Sequence, residues 1–523
     1  MTRVMLAINQ LLPRAAALYA AKLSVWDGEV RYSFAEIYGR VQRLAGALTG
    51  RGIGRGDRVG ILDVNSHRYL EAYYACAHLG AVLVPLNARL SPRELDYVLN
   101  DAGARAMLVA APFFDVFEAA RPKLDSVETV LTWGGAPPVK ASDYEDALSG
   151  SDPVASPAEV ASDEIAQIYY TSGTTGEPKG VCLTFGNMIV SALDAVIGLG
   201  LTYSDRWLHA APVFHLVDAW SIWAFPLMGA PQVCVAFAPE VYLKVVDGAR
   251  PTATGLPPTL INMVANHPKF DRYDHSSIRL IMYGGSPTPL GILKTAMANI
   301  PTTYVQAYGI TETSGITTLM RPEDFNPNGT PEQVAITASA GRPVPNIDLS
   351  VVDDDGRRVP TGTRGEVAVA GPRVMKEYWR RPDKTAEVMI GRRYHTGDIG
   401  YLDESGRLYI VDRKKDMIIT GGENVYPAEV ESVLSTHPAV LEVAVIGVPD
   451  ERWGEAVKAI VVPREGAQAD AAMLIAHCQG QIANYKVPKS VDFRFEPLPK
   501  TGPGKVAKRL LRDPYWTGRG TKI

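Results

Sequence analysis

Short β-like runs alternate with amphipathic helical runs along most of this chain, and this alternation limits the folds that it can adopt. The segment SFAE at 33–36 has the pattern of a capping box that opens a helix toward Leu48, and the strand-like DRVGILDV follows at 57–64. The strand-like GAVLVPLN at 80–87 and a second capping box, SPRE at 91–94, continue the series. We therefore expect βαβ units and parallel sheets, which together make an α/β fold.

The pattern changes between about residue 320 and residue 412. There Gly, Pro and Asp separate short runs such as DLSVVDD, GEVAVAG and GRLYIVD, which predicts antiparallel strands and a β-rich subdomain. After Asp412 we expect a helix from Pro427, the strands VLEVAVIGVPD and AVKAIVVP, and a helix over 473–482. About 110 residues remain in this part, enough for an independent α+β domain.

The composition excludes several classes of protein. The 523 residues include 53 Lys and Arg against 57 Asp and Glu, so no cationic field favours nucleic acid as a partner. The four cysteines are far apart, which argues against a zinc site or a disulfide framework and fits a cytoplasmic location. The first 21 residues are interrupted by polar residues and do not resemble a signal peptide. The sequence contains no apolar run of 18 residues, so we expect no transmembrane helix. Peripheral membrane contact through the N-terminal segment is an open alternative.

The most informative segment is YYTSGTTGEPKGV, residues 169–181, which follows the strand-like IAQI. A loop rich in glycine and hydroxyl groups can turn backbone N–H groups and its Thr and Ser side chains toward phosphate oxygens. The spacing is not that of a Walker A sequence. A polar surface turn would explain the Gly and Thr content, but not Pro178 and Lys179 in the same frame. We interpret the segment as a phosphate-binding loop.

Six motifs, in this order, resemble those of the adenylate-forming superfamily of acyl-CoA synthetases, luciferases and peptide-synthetase adenylation domains. They are YYTSGTTGEPKGV, YGITET (308–313), YHTGD (394–398), DRKKD (412–416), GGENVYPAEVE (421–431) and PKTGPGKV (499–506). The resemblance covers essentially the whole chain. It implies an N-terminal AMP-binding and acyl-binding domain over 1–412, a hinge at 413–416, and a smaller mobile C-terminal domain over 417–523.

The resemblance also implies a reaction and its cofactors. An acyl-CoA synthetase joins a carboxylate to ATP, which gives an acyl-adenylate and pyrophosphate, and then passes the acyl group to coenzyme A. Because a carboxylate and a phosphate repel each other, such an enzyme must supply fixed cations and hydrogen-bond donors. Lys505 matches the adenylation lysine, whereas Lys500 and Lys508 look like solvated tail lysines. Glu312 matches the Mg²⁺ ligand and Thr311 the hydroxyl on the α-phosphate.

The remaining site residues are assigned by the same resemblance. The phosphate loop comprises Thr171, Ser172, Gly173, Thr174, Thr175 and Lys179. Tyr308 and Gly309 match the adenine side, and Asp398 and Arg413 the ribose pair. Gly284, Gly285, Ser286 and Pro287 match the segment beside adenine and the acyl group. His215 matches the entrance of the acyl pocket, although a packed histidine is an equal alternative. Lys415 matches the hinge, and Gly421, Gly422 and Glu423 the pantetheine path.

The substrate is expected only as a class: a medium-chain, aryl or arylalkenyl carboxylic acid. Asp218, Trp220 and Trp223 follow PVFH, where they either shorten and polarise the acyl pocket or form helix core. No carrier domain follows Lys505, which favours free coenzyme A as acceptor. The alternatives are an acyl-AMP ligase that delivers to a carrier protein, a luciferase-like oxygenase, and a non-catalytic nucleotide-binding protein. A homodimer is compatible with each of them.

Overall fold

The chain is described by a computed structural model for residues 7–136, 138, 140–171, 178–285, 290–414, 416–420, 423–450, 453–467, 470–479, 481–500 and 505–517. The chain divides into two compact units. The first contains Met1–Asp348 and Val369–Tyr394, and the second contains Leu349–Ala368 and His395–Ile523. The predicted β-rich stretch is therefore shared between the units, while the predicted domain boundary at 412 and the hinge at 413–416 stay predictions.

The described residues form sixteen helices. They are α1 Leu11–Leu18, α2 Phe34–Thr49, α3 His67–Leu79, α4 Pro92–Ala102, α5 Phe114–Ala120, α6 Tyr144–Ser149, α7 Phe185–Leu199, α8 Ser221–Met228, α9 Pro239–Ala249, α10 Pro258–Ala265, α11 Leu290–Asn299, α12 Pro331–Thr337, α13 Pro382–Val388, α14 Pro427–Ser435, α15 Ala471–Cys478 and α16 Lys508–Trp516. Short 3₁₀ turns lie at Ile8–Gln10, Ala111–Phe113, Arg121–Lys123, Phe270–Arg272, Thr311–Thr313 and Pro322–Asp324. None of these helices is both long and apolar enough to cross a membrane.

The described residues form twenty-seven strands, most of them two to eight residues long and three of them ten or eleven. They are β1 Leu23–Asp27, β2 Val30–Ser33, β3 Arg58–Leu62, β4 Val82–Pro85, β5 Ala104–Ala110, β6 Thr129–Trp133, β7 Ser142–Asp143, β8 Ile165–Thr171, β9 Lys179–Thr184, β10 Trp207–His209, β11 Gln232–Cys234, β12 Ala253–Gly255, β13 Leu280–Gly284, β14 Thr303–Ile310, β15 Gly315–Leu319, β16 Arg342–Pro343, β17 Asp348–Val352, β18 Gly365–Ala370, β19 Glu377–Tyr378, β20 Met389–Ile390, β21 Arg393–Leu402, β22 Leu408–Arg413, β23 Ile418–Thr420, β24 Glu423–Val425, β25 Val440–Asp450, β26 Gly454–Pro463 and β27 Ser490–Phe493.

The first unit is built on two large sheets. An eight-stranded sheet has the order β19-β9-β8-β4-β3-β5-β6-β7, and its strands from β8 to β7 are parallel. A nine-stranded sheet has the order β16-β15-β14-β13-β12-β10-β11-β1-β2 and is parallel from β1 to β14. Each sheet has its own buried apolar core. The α/β prediction is therefore confirmed.

Local sequence signals place the helix starts correctly. The Ser33 hydroxyl accepts from the Glu36 amide while the Glu36 carboxylate accepts from the Ser33 amide, and α2 begins at the next residue. Ser91 and Glu94 form the same capping box at the start of α4. Each cap satisfies backbone donors that would otherwise lack a partner, which is worth about 1 kcal/mol. The last predicted helix is expected over 473–482. The observed helix α15 ends earlier, at Cys478.

The second unit contains two smaller groups of strands. β21 pairs antiparallel with β22 from Asp398 opposite Arg413 to Leu402 opposite Leu408, with a shift of register between Ile399 and Gly400. β24, β23, β26 and β25 form an antiparallel sheet with β27 parallel to β26, and α14, α15 and α16 pack with these strands. Two buried apolar clusters stabilise this α+β arrangement. The antiparallel strands that the sequence predicts after residue 320 are present, although α12 and α13 also lie in that stretch.

Candidate active site

The predicted phosphate loop connects two antiparallel strands of the first unit. Thr171 is the last residue of β8, Lys179 is the first residue of β9, and the two residues are cross-strand partners. The Lys179 ammonium lies 4.4 Å from the centroid of the Tyr378 ring. Ser172, Gly173, Thr174 and Thr175 lie outside the described residues. The structure therefore defines the two ends of this loop and the cation at its exit.

Thr311 and Glu312 lie on a tight turn between β14 and β15. A 3₁₀ turn covers Thr311–Thr313, and Ser314 ends it in a left-handed conformation with φ 57°. Gly309 precedes the turn, where a Cβ atom would collide with the carbonyl oxygen of Gly315 on the partner strand. Only glycine therefore permits this close approach of β14 and β15. The turn presents two neighbouring oxygen side chains, as the YGITET motif implies.

Tyr378 joins the turn to the phosphate loop, and the sequence analysis missed this residue. Its hydroxyl donates to Glu312 Oε1 at 2.9 Å, and its ring contacts Lys179. The amide of Met375 donates to the carbonyl of Glu312 at 2.8 Å. In the sequence, Tyr378 is marked only as an aromatic residue. In the structure it lies in β19, which pairs with β9, the strand that directly follows the loop. A predicted acid and a predicted cation thus meet at one tyrosine.

The donor set at this turn fits a magnesium ion. Mg²⁺ binds through one or two carboxylates together with the oxygens of a nucleotide, and it keeps several waters. Glu312 supplies a partly exposed carboxylate, and the hydroxyl-bearing Thr311 is its neighbour in the turn. Within the described residues, no group of three or more His, Cys, Asp or Glu forms an all-protein metal site. A single-carboxylate site is therefore the arrangement that these residues can offer.

The adenine-side residues lie at the carboxyl ends of two parallel strands. Gly284 ends β13 and pairs with Ala307 of β14, one residue before Tyr308. A Cβ atom on Gly284 would collide with the Ala307 carbonyl, and Gly285 has φ +83°. Glycine at position 284 therefore permits the close approach of β13 and β14. Ligands of α/β proteins bind at this edge of the sheet, where the parallel strands end. Ser286 and Pro287 lie outside the described residues.

His215 lies in the loop between β10 and α8 and is partly exposed. Its carbonyl accepts from the amides of Asp218 and Ala219 at 3.1 and 3.0 Å, and its ring lies 4.7 Å from the ring of Phe214. Asn65 fixes the chain just before it, since Asn65 Nδ2 donates to the carbonyls of His209 and Ala211, each at 2.8 Å. The sequence analysis did not identify Asn65. Its partners are about 145 residues away in sequence, so no local pattern marks them.

Three residues of the segment that follows PVFH belong to the protein interior. Asp218, Trp220 and Trp223 have no exposed surface, and Asp218 accepts from Trp207 Nε1 at 2.6 Å and faces His209 Nδ1 at 3.0 Å. The rings of Trp207 and Trp220 pack edge to face at 5.0 Å. The packing interpretation therefore holds for both tryptophans. The carboxylate of Asp218 is used inside the protein and is not a free charge for polarising a ligand.

The predicted ribose pair forms within the second unit. Asp398 and Arg413 are cross-strand partners of β21 and β22, and Arg413 Nε lies 2.6 Å from Asp398 Oδ1. Asp398 is buried, while Arg413 is about one-third exposed at 35%. A buried carboxylate held by a guanidinium is fixed in direction. It can accept two hydrogen bonds from a diol. Lys415, in the predicted hinge, lies outside the described residues.

The remaining predicted residues of the second unit lie on loops and strand ends. Lys505 is partly buried and directly precedes Val506, which forms an isolated antiparallel bridge with Lys500. Glu423 begins β24 and is exposed. Gly421 and Gly422 lie outside the described residues. The structure places Lys505 at the base of the loop that the PKTGPGK motif predicts.

One expectation about the neighbouring lysines is wrong. Lys508 is not a solvated tail lysine: its ammonium lies 2.8 Å from Glu431 Oε1, and only 16% of its side chain is exposed. Lys500 also forms an ion pair, with Glu442. The reason is that α16 packs against β25, which brings Lys508 to Glu431 in the middle of α14. Burial of this kind depends on tertiary packing, which charge patterning in the sequence does not reveal.

Comparison with known proteins agrees with this geometry. A family model described as AMP-binding enzyme matches residues 12–379, and one described as AMP-binding enzyme C-terminal domain matches residues 429–505. The chain is 38% identical over 502 residues to a feruloyl-CoA synthase of Amycolatopsis sp, covering 95% of this chain and 97% of that protein. It is 36% identical over 503 residues to the fatty acid–[acyl-carrier-protein] ligase ScoC of Streptomyces coeruleorubidus, covering 94% of this chain and 93% of that protein. The crystal structure of the anthranilate CoA ligase AuaEII in complex with anthranoyl-AMP matches with a TM-score of 0.87 and 28% identity, covering 98% of this chain and 97% of that one.

Proposed function

This chain belongs to the AMP-binding enzyme family, and from that membership we propose that its substrate is an aryl or arylalkenyl carboxylic acid. The chain is an AMP-forming acid–thiol ligase of the acyl-CoA synthetase branch. In the first half-reaction a carboxylate oxygen bonds to the α-phosphorus of ATP and pyrophosphate leaves. In the second, the sulfur of coenzyme A bonds to the acyl carbon and AMP leaves.

The observation that carries the site assignment is the meeting of Lys179, Glu312 and Tyr378. Lys179 brings a positive charge to the exit of the phosphate loop, where the phosphates of ATP need compensation. The Tyr378 hydroxyl donates a hydrogen bond to one oxygen of Glu312 and so fixes the orientation of that carboxylate. When bound to Glu312, Mg²⁺ would neutralise part of the charge that develops on the phosphates. Thr311, its neighbour in the turn, would donate to the α-phosphate.

Two further groups would hold the nucleoside and the carboxylate. Asp398, oriented by Arg413, can accept both ribose hydroxyls, which fixes the direction of the α-phosphate. Lys505 supplies the ammonium that brings the carboxylate to the α-phosphorus, because two anions must approach each other in this step. Orientation and charge compensation are sufficient for adenylation, which needs no general base.

The preference for a compact aromatic acid rests on two supports. Named relatives act on such acids: feruloyl-CoA synthase at 38% identity, and an anthranilate CoA ligase in the superposed structure. In this chain, the interior beside the 212–220 loop is filled by Trp207, Trp220 and Trp223, which have no exposed surface. A rigid packed wall limits the depth available to a long flexible acyl chain. A flat acid needs less depth for the same buried apolar area.

A panel assay tests the proposed substrate. We would measure pyrophosphate release and coenzyme A consumption with ferulate, anthranilate, indoleacetate, 2-succinylbenzoate, octanoate and palmitate. The expected result is that one of the aryl or arylalkenyl acids gives a kcat/KM at least about tenfold above both fatty acids, a difference of about 1.4 kcal/mol. Higher efficiency with octanoate or palmitate would overturn the substrate class.

The same assay separates the possible acceptors. Equal rates of pyrophosphate release and thioester formation in the presence of coenzyme A are expected for a CoA ligase. Release of pyrophosphate without any use of coenzyme A would favour an acyl-AMP ligase that delivers to a carrier protein. Glu312→Gln serves as the inactive control, because it keeps the side-chain volume and removes the charge.

A further inference from the structure

Helix α7 carries three polar side chains on one buried face. Asn187, Ser191 and Asp194 occupy positions i, i+4 and i+7, and their exposed fractions are 7%, 0% and 0%. Residues at this spacing lie on the same side of a helix. Burying polar groups costs free energy unless each one finds partners, so this face must meet a polar structure.

Its partner is the segment around Arg373. Asn187 Nδ2 donates to the carbonyls of Pro372 and Val374 at 2.7 and 3.0 Å, on either side of the arginine. Arg373 has no exposed surface, and its Nη1 lies 3.3 Å from Asp194 Oδ2. Helix α7 therefore contacts both the backbone on either side of Arg373 and the Arg373 side chain.

Arg373 extends from the helix to the turn that carries Glu312. Its Nη2 donates to the Ser191 hydroxyl and to the Ser314 carbonyl, both at 3.1 Å. The Ser191 hydroxyl donates to the same Ser314 carbonyl at 2.7 Å, and the Ser314 hydroxyl donates to the Arg373 carbonyl at 2.7 Å. Ser314 has φ 57°, a left-handed conformation that costs a non-glycine residue roughly 1 kcal/mol. These bonds hold the strained end of the turn.

The charge of Arg373 is costly where it lies. Burial lowers the pKa of Arg373 to about 10, and the attraction of Asp194 offsets this only in part, so the guanidinium stays charged at neutral pH. A buried ion pair often contributes less stability than apolar residues of similar volume. Stability alone therefore does not account for an arginine at this position, whereas its planar fork can join three oxygens in fixed directions.

We propose that Arg373 is a positioning residue for adenylation, which sets the place of the Glu312 carboxylate by fixing the turn at Ser314 against helix α7. The proposal rests on the proposed role of Glu312 as the magnesium ligand. A second support comes from the same segment: Met375, two residues after Arg373, donates its amide to the Glu312 carbonyl, and Tyr378 donates to the Glu312 side chain. One segment thus binds Glu312 in the middle of the turn and Ser314 at its end.

Arg373→Lys tests the proposal, because lysine keeps the charge beside Asp194 but cannot span the three oxygens. We expect the Mg²⁺ concentration for half-maximal pyrophosphate release to rise by about tenfold, since two or three hydrogen bonds are lost. Ser191→Ala removes the hydroxyl that donates to Ser314 and leaves the ion pair intact; a rise of about threefold is expected. Thioester formation from a supplied acyl-adenylate should stay within about twofold for both, because that step does not involve the pyrophosphate.

An equilibrium readout and a matched control separate positioning from stability. The readout is the difference in melting temperature between protein with Mg·ATP and protein with ATP and EDTA, which we expect to shrink in both variants. The control is Arg279→Lys, which alters a more exposed arginine–aspartate pair in the same unit: Arg279 Nη2 lies 2.5 Å from Asp205 Oδ2, and its side-chain hydrogen bonds within the described residues go to Asp205 and the Gly200 carbonyl. It should lower the melting temperature of the protein without changing its dependence on Mg²⁺.

Unchanged half-saturation by Mg²⁺ in both Arg373→Lys and Ser191→Ala would overturn the proposal. If Arg373→Lys does not fold, Ser191→Ala alone decides. Glu312→Gln distinguishes this outcome from failure of the proposed function. If the effect of Mg²⁺ on the melting temperature with ATP is the same in Glu312→Gln as in the parent, the magnesium role of Glu312 is wrong. If Glu312→Gln loses this effect while Arg373→Lys and Ser191→Ala match the parent in their Mg²⁺ dependence, only the role of Arg373 is wrong.

Discussion

Asp63 lies in the loop between β3 and α3, and its buried carboxyl gives the first unit a defined pH dependence. Only 3% of Asp63 is exposed. Burial raises the pKa of Asp63 to about 6, although hydrogen bonds from the Ser66 hydroxyl and the Val64 amide lower it in part. The same loop carries Asn65, which holds the chain that leads to His215. The charge of Asp63 therefore affects a loop that holds the chain before His215, the predicted entrance of the acyl pocket.

The sign follows from proton binding in the two states. The folded protein holds the Asp63 proton more tightly than the unfolded chain, so the free energy of unfolding falls as the pH rises from about 4 through about 6. A pKa that moves from 3.8 to about 6 corresponds to a penalty of about 3 kcal/mol on the ionised form. About half of this penalty is already present at pH 5, so about 1.4 kcal/mol develops between pH 5 and pH 8.

Asp63→Asn removes this titration. Asparagine keeps an acceptor for the Val64 amide and loses the charge-assisted bond from Ser66, so the net gain in the free energy of unfolding at pH 8 is expected to be about 1 to 2 kcal/mol. The gain should decrease by about 1.4 kcal/mol between pH 8 and pH 5. Urea unfolding followed by tryptophan fluorescence at pH 5, 6, 7 and 8 measures both quantities. Asp271→Asn, on the exposed surface, makes the same change in net charge. A difference between Asp63→Asn and the parent that stays constant over this pH range would refute the reasoning.

Three further predictions concern the site itself. Lys505→Ala should lose carboxylate-dependent exchange of pyrophosphate into ATP by about 100-fold, or about 3 kcal/mol, and still form thioester from a supplied acyl-adenylate; equal loss of both half-reactions would exclude an adenylation role. Asp398→Asn should raise the KM for ATP by about tenfold with little change in the KM for the acid, measured by initial rates at saturating coenzyme A. Gly309→Ala should lower the melting temperature sharply, because its Cβ would meet the Gly315 carbonyl. Gly291→Ala, where a Cβ meets open space in α11, should be neutral or stabilising by up to about 1 kcal/mol. Equal melting temperatures for the two variants would contradict the close packing of β14 and β15.

Features that depend on a few neighbouring residues could be predicted from the sequence. The Ser33 and Ser91 capping boxes are complete in four residues each, and α2 and α4 begin where they predict. The phosphate loop begins and ends at Thr171 and Lys179, because a strand, a glycine-rich run and a second strand follow one another in the chain. In each case the physical cause lies within one turn of helix or one hairpin. Motif order then predicted the family.

Features that depend on distant residues could not be predicted in this way. Tyr378 reaches Glu312 from 66 positions away, and Asn65 reaches His209 from 144 positions away. Lys508 looks solvated in the sequence and is buried against Glu431 because α16 packs on β25. A hydrogen bond across such distances leaves no periodicity, since periodicity reports only which face of an element is buried. The supporting residues of the site therefore required the fold, whereas the residues proposed to touch ATP did not.

Helix α7 marks the boundary between these two cases. Asn187, Ser191 and Asp194 interrupt an otherwise apolar helix at one helical spacing, so the sequence alone predicts that a buried polar structure must lie against them. It cannot predict which structure, because any group that offers both donors and acceptors could pair with these three polar side chains. Arg373 is the side chain that reaches both Asp194 and Ser191, and it also reaches the backbone of Ser314. Polar residues at helical spacing on a buried helix face thus indicate a buried hydrogen-bond network. The partner of such residues can be sought among the arginines that the fold buries beside the helix.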